Sequence, residues 1–230
     1  MLRRTARTYW RRCANLVGRS DVSFHAGRLD TARLKLASRG KLGRVSLLSD
    51  EPRAICREAQ EARVFPGAVV WLARDREVAA YFASGMTAYD AEYSVPARLA
   101  TLYDIASLSK LFTMTAWLIA AREANVSALA PLARFLPAFA STPLQNVTVR
   151  DLLRHNSGLV FAVQQLADVP ADEWNARIAA APPGSAPGTK VQYSCTNYYL
   201  LARVLETVSG QPLRRFVEER LIAPLKLRNT

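Results

Sequence analysis

The sequence has few cysteines, which form disulfides in small folds, and few histidines, which bind metal ions. Its 230 residues include three cysteines, Cys13, Cys56 and Cys195, which are widely separated and form no C-x-x-C pair. This spacing predicts neither a disulfide framework nor a zinc site. His25 and His155 are the two histidines, which argues against a histidine-rich metal centre and leaves a Ser-His-Asp triad almost without support. We therefore expect no metal and no organic cofactor.

Long apolar runs are lacking as well. No stretch approaches the roughly 18 apolar residues of a membrane-spanning helix, so the sequence predicts no transmembrane segment. The first twenty residues, MLRRTARTYWRRCANLVGRS, also lack the apolar stretch of about 7 to 15 residues that follows the basic start of a secretory signal. The sequence thus gives no indication of export.

Acidic residues are scarce in the first 49 positions, where 12 lysines and arginines face only Asp21 and Asp30. The rest of the chain is nearly balanced, so most of the net charge of +12 belongs to a basic N-terminal arm over residues 1–49. Charge on an arm gives the body, residues 50–230, no general electrostatic reason to bind nucleic acid.

Three interpretations of the arm stay open. An arginine-rich, acid-poor start is typical of a mitochondrial transit peptide. A solvated tail of a bacterial cytoplasmic protein, or a mistaken translation start, explains the same composition. The third interpretation is that the arm binds anionic lipid or nucleic acid. We predict a cytoplasmic location, with a mitochondrial one as the alternative.

Half of the residues are apolar, which is enough to bury a core in one domain or in two closely packed lobes. The segment EPRAICREAQEARVF predicts a first helix, and AVVWLA and VAAYFASGM predict a β-hairpin. Helices are predicted after it, over residues 107–124, over VRDLLRH with Thr148 as N-cap and Gly158 as stop, from Asp172 to about Ala181, over residues 197–209 closed by Gly210, and from Pro212 onward. A hairpin followed by helices indicates an α+β fold.

The segment TLYDIASLSKLFTMTA places Ser107 and Lys110 three residues apart at the start of the strongest predicted helix. Residues at this spacing share a helix face, so the lysine amine can reach the serine hydroxyl. A hydroxyl becomes a good nucleophile when a neighbour takes its proton, and a lysine can do so if burial lowers its pKa. Ser38 and Lys41 have the same spacing, but they lie among basic residues with Gly40 between them, and we interpret them as coincidence.

Several segments agree with this S-x-x-K element: FPGAVVWLARD, RFLP, VRDLLRHNSGL, PGTKVQYSCTNYYLLARVLE and VSG. In this order and spacing, they resemble the serine β-lactamase-like family, which includes class C β-lactamases, DD-peptidases and related esterases. The resemblance covers about residues 64 to 230. It implies a β-lactamase/transpeptidase-like fold with a small antiparallel sheet and a helical lobe.

The resemblance also implies roles for three catalytic residues. Ser107 matches the nucleophile that forms an acyl-enzyme, and Lys110 and Tyr193 match the lysine and tyrosine that share its proton. A phenol serves as a base at neutral pH only beside a positive charge, which Lys110 would supply. His155, in the segment RHNSGL, matches a structural turn of the family. The implied reaction is hydrolysis of a small ester or amide.

The sequence departs from the family in two ways. Cys195 stands where the Y-x-N motif has asparagine, whose amide donates a hydrogen bond to the acyl-amide carbonyl of the substrate. A thiol is too weak a donor to replace it, so at this substrate-binding position recognition of penicillins or peptides is in doubt, and ester hydrolysis less so.

The second departure is length. The chain ends where family members continue with the K-T-G or H-x-G strand, so we expect the C-terminal strands of the sheet to be missing. The hairpin would then expose an unpaired edge, through which the chain could form homo-oligomers. The alternative to an active hydrolase is a catalytically impaired pseudoenzyme or fragment that serves as an interaction module.

Overall fold

The computed structural model describes residues 51–74 and 77–229. The predicted basic arm, residues 1–49, lies outside this range. The described residues divide into two compact units between Tyr103 and Asp104. This division falls inside the segment 50–230, whose assignment to one hydrolase domain stays a prediction.

The first unit contains one helix and one hairpin, as the sequence predicted. Helix α1 spans Glu51–Glu61, strand β1 spans Gly67–Arg74 and strand β2 spans Glu77–Gly85. The strands pair antiparallel, with Gly67 opposite Gly85 at the open end. The helix ends earlier than EPRAICREAQEARVF suggests because Arg63 has a φ of 54°, in the left-handed region that cannot continue an α-helix.

The two faces of the hairpin differ in their surroundings. Phe82 is buried, and the guanidinium carbon of Arg53 on α1 lies 4.3 Å from the centre of its ring. Because side chains alternate along a strand, Trp71 and its cross-strand partner Tyr81 belong to the opposite face. They are 62% and 52% exposed, so this face is apolar and open to solvent.

The second unit is helical. Its α-helices are α2 (Ser109–Glu123), α3 (Val149–Leu153), α4 (Trp174–Ala179), α5 (Cys195–Ser209) and α6 (Leu213–Val217). Short 3-10 turns and loops connect them. An antiparallel hairpin in one unit and helices in the other confirm the α+β prediction.

The core of the second unit forms where α2 packs against α5. On each helix the buried residues recur at the spacing of one helix face: Ala116, Trp117, Ala120 and Ala121 on α2, and Leu200, Leu201, Val204 and Leu205 on α5. The alanines of α2 leave room for the larger leucines of α5. Both helices begin at the same end of this packed pair, near the residues singled out by the sequence.

The end of α3 and the start of α5 differ from the prediction. Gly158 does not stop α3, which ends at Leu153, because His155 takes a left-handed φ of 55° three residues earlier. Helix α5 begins at Cys195 rather than Asn197, because the side chain of Ser194 accepts a hydrogen bond from the backbone amide of Thr196. The predicted stop of α5 at Gly210 is confirmed by its φ of 66°.

Gly158 has a different task. Its φ is 79°, and a Cβ atom there would lie 2.1 Å from the backbone oxygen of Ser185. Only glycine fits at this position, because both the dihedral angle and the close approach exclude a side chain.

The prediction of no transmembrane segment agrees with the structure in that no helix within the described ranges is long and apolar enough to cross a membrane.

The core packing predicts a large difference between two leucine-to-alanine changes. Leu200 is fully buried between α2 and α5, whereas Leu118 is 51% exposed on α2. We expect Leu200→Ala to lower the free energy of unfolding by about 2 to 5 kcal/mol, because it leaves a cavity. Leu118→Ala is the matched control and should change it by about 0.5 kcal/mol or less. Urea denaturation measures both, and equal losses would contradict the assigned core.

Candidate active site

Ser107 lies in a 3-10 turn, Ala106–Leu108, and not in the α-helix that the sequence predicted from this point. Ala106 has a φ of 43°, which is uncommon for a residue with a side chain, and its backbone amide donates to Oδ1 of Asp104 at 2.7 Å. Helix α2 begins after the turn, at Ser109. The turn leaves the Ser107 hydroxyl exposed to solvent.

Lys110 stands directly over Ser107. It lies in the first turn of α2, just after the 3-10 turn of Ser107, and its Nζ atom donates to Oγ of Ser107 at 3.2 Å. The predicted contact therefore forms, although the local geometry is 3-10 and not α-helical at its start.

Tyr193 approaches the same serine from a distant part of the chain. Its hydroxyl donates to Oγ of Ser107 at 2.6 Å, and Nζ of Lys110 lies 5.1 Å from the centre of its ring. The structure thus brings Ser107, Lys110 and Tyr193 into one cluster, as the resemblance implied. Their catalytic roles remain a proposal.

Backbone hydrogen bonds hold the loop that carries Tyr193. The amide of Gly188 donates to the carbonyl of Asn156 at 2.7 Å, and the amide of Gln192 donates to the carbonyl of His155 at 2.7 Å. The turn after α3 is therefore the platform for this loop. The sequence predicted both segments, but it did not indicate that they bind each other.

Cys195 is the first residue of α5 and also joins the cluster. Its Sγ atom accepts a hydrogen bond from Nζ of Lys110 at 3.6 Å, and its side chain is exposed. The position predicted to bind substrate is thus beside the predicted catalytic residues. Its thiol is oriented toward the lysine, as a weak acceptor and not as an amide-like donor.

Lys110 keeps its positive charge. Partial burial lowers the pKa of Lys110, but the hydrogen bond to Tyr193 and the electrostatic interactions with Cys195 and Tyr193 outweigh it, so the pKa rises above its ordinary value of 10.5. The expectation that burial lowers the pKa of this lysine enough to make it a base is therefore wrong. At neutral pH, Lys110 acts as the cation of the cluster.

Tyr198 is a neighbour of the cluster that sequence reasoning missed. Nζ of Lys110 lies 6.0 Å from the centre of its ring. Burial raises the pKa of Tyr198, while Lys110 lowers it and Tyr193 raises it, so that this phenol stays protonated at neutral pH. Tyr198 lies three residues after Cys195 and shares its face of α5, but the predicted helix over residues 197–209 began after Cys195 and so gave no such signal.

His155 lies behind Tyr193, with 4.6 Å between the centres of the two rings. Burial lowers the pKa of His155 below its ordinary value of 6.5, and the charge of Lys110 lowers it further. The imidazole is therefore neutral at neutral pH. No hydrogen bond among the described residues links it to Ser107, which fits the predicted structural role better than a triad.

Metal ligands are not grouped in this region. Across residues 51–74 and 77–229, no three or more histidine, cysteine, aspartate or glutamate side chains are arranged to hold a metal ion.

The second unit also contains a cavity of about 530 Å³, with Val160, Phe161 and Arg177 in its wall. The carbonyl of Phe161 accepts a hydrogen bond from Oγ1 of Thr196 at 2.6 Å, which ties this wall to the first turn of α5.

Comparison with known proteins gives the same picture as the site geometry. The family model described as Beta-lactamase matches residues 53–230. The chain is 32% identical over 198 residues to esterase EstB of Burkholderia gladioli, covering 76% of this chain and 49% of the esterase. It is also 32% identical over 154 residues to a putative D-alanyl-D-alanine carboxypeptidase of Escherichia coli (strain K12), covering 60% of this chain and 36% of that protein.

Solved structures agree on the fold. A class C β-lactamase in complex with cefoxitin superimposes with a TM-score of 0.69 at 22% identity, covering 78% of this chain and 50% of that one. EstCE1, a hydrolase with promiscuous acyltransferase activity, superimposes with a TM-score of 0.66 at 24% identity, covering 76% of this chain and 51% of that one. The β-lactamase/transpeptidase-like fold is therefore confirmed.

The chain spans about half the length of these proteins or less. The family model matches more than three quarters of this chain, and the matched residues include every residue of the cluster around Ser107. On this evidence the chain belongs to the beta-lactamase family.

Proposed function

We propose that this protein is a serine hydrolase that cleaves a small ester or amide through an acyl-enzyme on Ser107. One observation supports the proposal above all others: the hydroxyl of Tyr193 and the ammonium of Lys110 converge on Oγ of Ser107, at 2.6 Å and 3.2 Å. A phenol and a fixed cation around one hydroxyl form an arrangement that can remove its proton.

In the proposed acylation, Tyr193 first releases to solvent the proton that it donates to Ser107 in the structure, and its deprotonated oxygen then accepts the proton of Ser107 while Oγ bonds to the acyl carbon of the substrate. Tyr193 then gives this proton to the leaving group as the bond to the acyl carbon breaks. In deacylation, Tyr193 takes a proton from water as the water oxygen attacks the acyl carbon. Ser107 leaves with that proton, and both residues return to their starting state.

Lys110 supports these steps as a cation. Its raised pKa keeps it protonated, so its charge stabilises the deprotonated tyrosine and does not itself accept the serine proton. This assigns the proton transfers to Tyr193 and the electrostatic stabilisation to Lys110.

We further propose that esters are better substrates than penicillins or peptides. The thiol of Cys195 contacts Lys110, and it offers no strong donor for the amide carbonyl of such substrates. An ester without an acyl-amide group needs no such donor. The similarity to a protein named as an esterase supports the same choice.

Covalent labelling tests the nucleophile. We expect a fluorophosphonate probe to add once to the wild type, because the hydroxyl of Ser107 is activated, and not to add to Ser107→Ala. Tyr193→Phe removes the base but keeps the ring, and should slow labelling by about a hundredfold or more. Intact-mass spectrometry over time gives both the number of adducts and the rate.

Ser38→Ala is the matched control for this experiment, because Ser38 belongs to the other S-x-x-K sequence of the chain. It should label like the wild type. Circular dichroism establishes that each variant is folded. Folded wild-type protein that takes up no probe, or a Ser107→Ala variant that still takes it up, would contradict the proposal.

Substrate preference is tested at Cys195. Replacing the thiol with an amide restores one hydrogen-bond donor, a contribution of about 1 kcal/mol, so Cys195→Asn should raise acylation by a cephalosporin about fivefold relative to acylation by a p-nitrophenyl ester. Cys195→Ala removes the thiol without adding the amide and should not produce this gain. An equal ratio in all three proteins, measured by stopped-flow absorbance, would remove Cys195 from substrate selection.

We also propose that the chain forms homo-oligomers through the hairpin. The cross-strand pair of Trp71 and Tyr81 gives it an exposed apolar face, and each strand has one edge without a partner strand among the described residues. A second copy offers a matching face and edge, since identical surfaces pair readily about a two-fold axis.

Sedimentation velocity at several concentrations tests this association. We expect dimers at micromolar concentration for the wild type and a monomer for Trp71→Lys, because a charge at the pairing face opposes association. Leu118→Ala, at an exposed position on α2, is the control and should behave like the wild type. A wild type that stays monomeric up to about 100 μM, an affinity weaker than about −5.5 kcal/mol, would refute the proposal.

A further inference from the structure

His155 contacts the loop of Tyr193 at three successive residues. Its carbonyl accepts the backbone amide of Gln192 at 2.7 Å, its ring lies 4.6 Å from the ring of Tyr193, and its Nδ1 atom accepts the backbone amide of Ser194 at 3.3 Å. One residue therefore holds the loop on both sides of the tyrosine and also supports the tyrosine ring.

The hydrogen bonds of the ring determine which nitrogen carries the proton. A backbone amide can only donate, so Nδ1 of His155 must be an acceptor toward Ser194. The amide nitrogen of Asn197 also lies 3.2 Å from Nδ1, and the oxygen of the same amide accepts from the hydroxyl of Ser157 at 2.6 Å. Two donors thus face Nδ1, and the proton of the neutral ring resides on Nε2.

Protonation would reverse this arrangement. A proton on Nδ1 would face the backbone amide of Ser194 and the amide nitrogen of Asn197, neither of which can accept it. Because Asn197 is fully buried, the lost hydrogen bonds could not be replaced by water without opening the first turn of α5.

We propose that His155 is a positioning residue which, only in its unprotonated form with Nδ1 as acceptor, holds Tyr193 against Ser107. This inference rests on the proposed function, since the consequence of positioning is read at Ser107. It gives the site a dependence on pH that does not originate in the reacting groups themselves.

Burial and the positive charge of Lys110 favour the neutral form of the ring by lowering the pKa of His155. Tyr193 from the loop and Tyr198 from α5 both face it, the latter with 5.1 Å between ring centres, and Lys110 from α2 adds a positive charge nearby. No carboxylate among the described residues is bonded to the ring to stabilise an imidazolium. The protonated form should therefore appear only at a lower pH than for an ordinary histidine.

Two substitutions at position 155 distinguish the effect of the hydrogen-bond acceptor from the effect of the backbone conformation. Position 155 has a φ of 55°, which asparagine and glycine tolerate better than other residues. His155→Asn places an oxygen acceptor near the position of Nδ1 and does not titrate. His155→Gly allows the same backbone but provides no acceptor. Both lack the ring, so a difference between them does not arise from the ring contact with Tyr193, and the acceptor is the polar group that distinguishes them.

The first experiment is the rate of fluorophosphonate labelling from pH 4.5 to 8. At pH 7.5 we expect His155→Asn to label within about threefold of the wild type and His155→Gly at least tenfold more slowly. As the pH falls through the lowered pKa of His155, the slope of log rate against pH should become smaller by up to one for His155→Asn than for the wild type, because one titrating group is gone. A purely structural histidine would leave the slope unchanged, and an unchanged slope would overturn the inference.

The second experiment needs no catalysis. In a His25→Gln background, His155 is the only histidine, and ¹⁵N NMR of the imidazole should show Nδ1 unprotonated at pH 7.5. Nuclear Overhauser contacts between Tyr193 and Lys110 should persist in His155→Asn and disappear in His155→Gly. A proton on Nδ1, or contacts retained in His155→Gly, would overturn the inference.

These results also keep the two proposals apart. If the wild type takes up no probe, the proposed hydrolase activity fails, and the NMR results alone decide whether His155 positions the tyrosine. If the wild type labels at Ser107 but the slope or the NMR contacts do not depend on position 155, the hydrolase proposal stands and the role of His155 fails.

Discussion

The packing of α2 against α5 is the constraint on which the candidate site depends. Ser107 and Tyr193 are 86 residues apart, yet their hydroxyl groups lie 2.6 Å from each other because each is next to the first turn of one of these helices. The buried alanines of α2 and leucines of α5 fix the distance between the helices. Core packing therefore sets the distance between the two segments that form the cluster.

A second layer of the structure controls Tyr193. The turn after α3 has left-handed residues at His155 and Gly158, and it presents backbone carbonyls to the loop that carries the tyrosine. Helix α3 precedes this turn, and the capping box of Thr148 and Asp151 stabilises the start of that helix. The residues around Ser107 thus depend on hydrogen bonds made well behind them, which is a common way to hold reacting groups in place.

Lys110 and His155 differ in charge at neutral pH. Lys110 remains positive because its partners outweigh its partial burial, while burial and this same lysine keep His155 neutral. Two bases so close together would compete for protons if both titrated near neutral pH. Here one is held charged and the other uncharged.

The sequence by itself determined the α+β class, most of the helices and strands, and the family, because periodicity and the order of motifs are local properties of the chain. It also indicated Ser107, Lys110, Tyr193 and Cys195 as site residues. The tertiary structure decided the charge of Lys110, the position of Tyr198 beside it and the contacts of His155. These depend on desolvation and on hydrogen bonds between distant segments, which no pattern along the chain encodes.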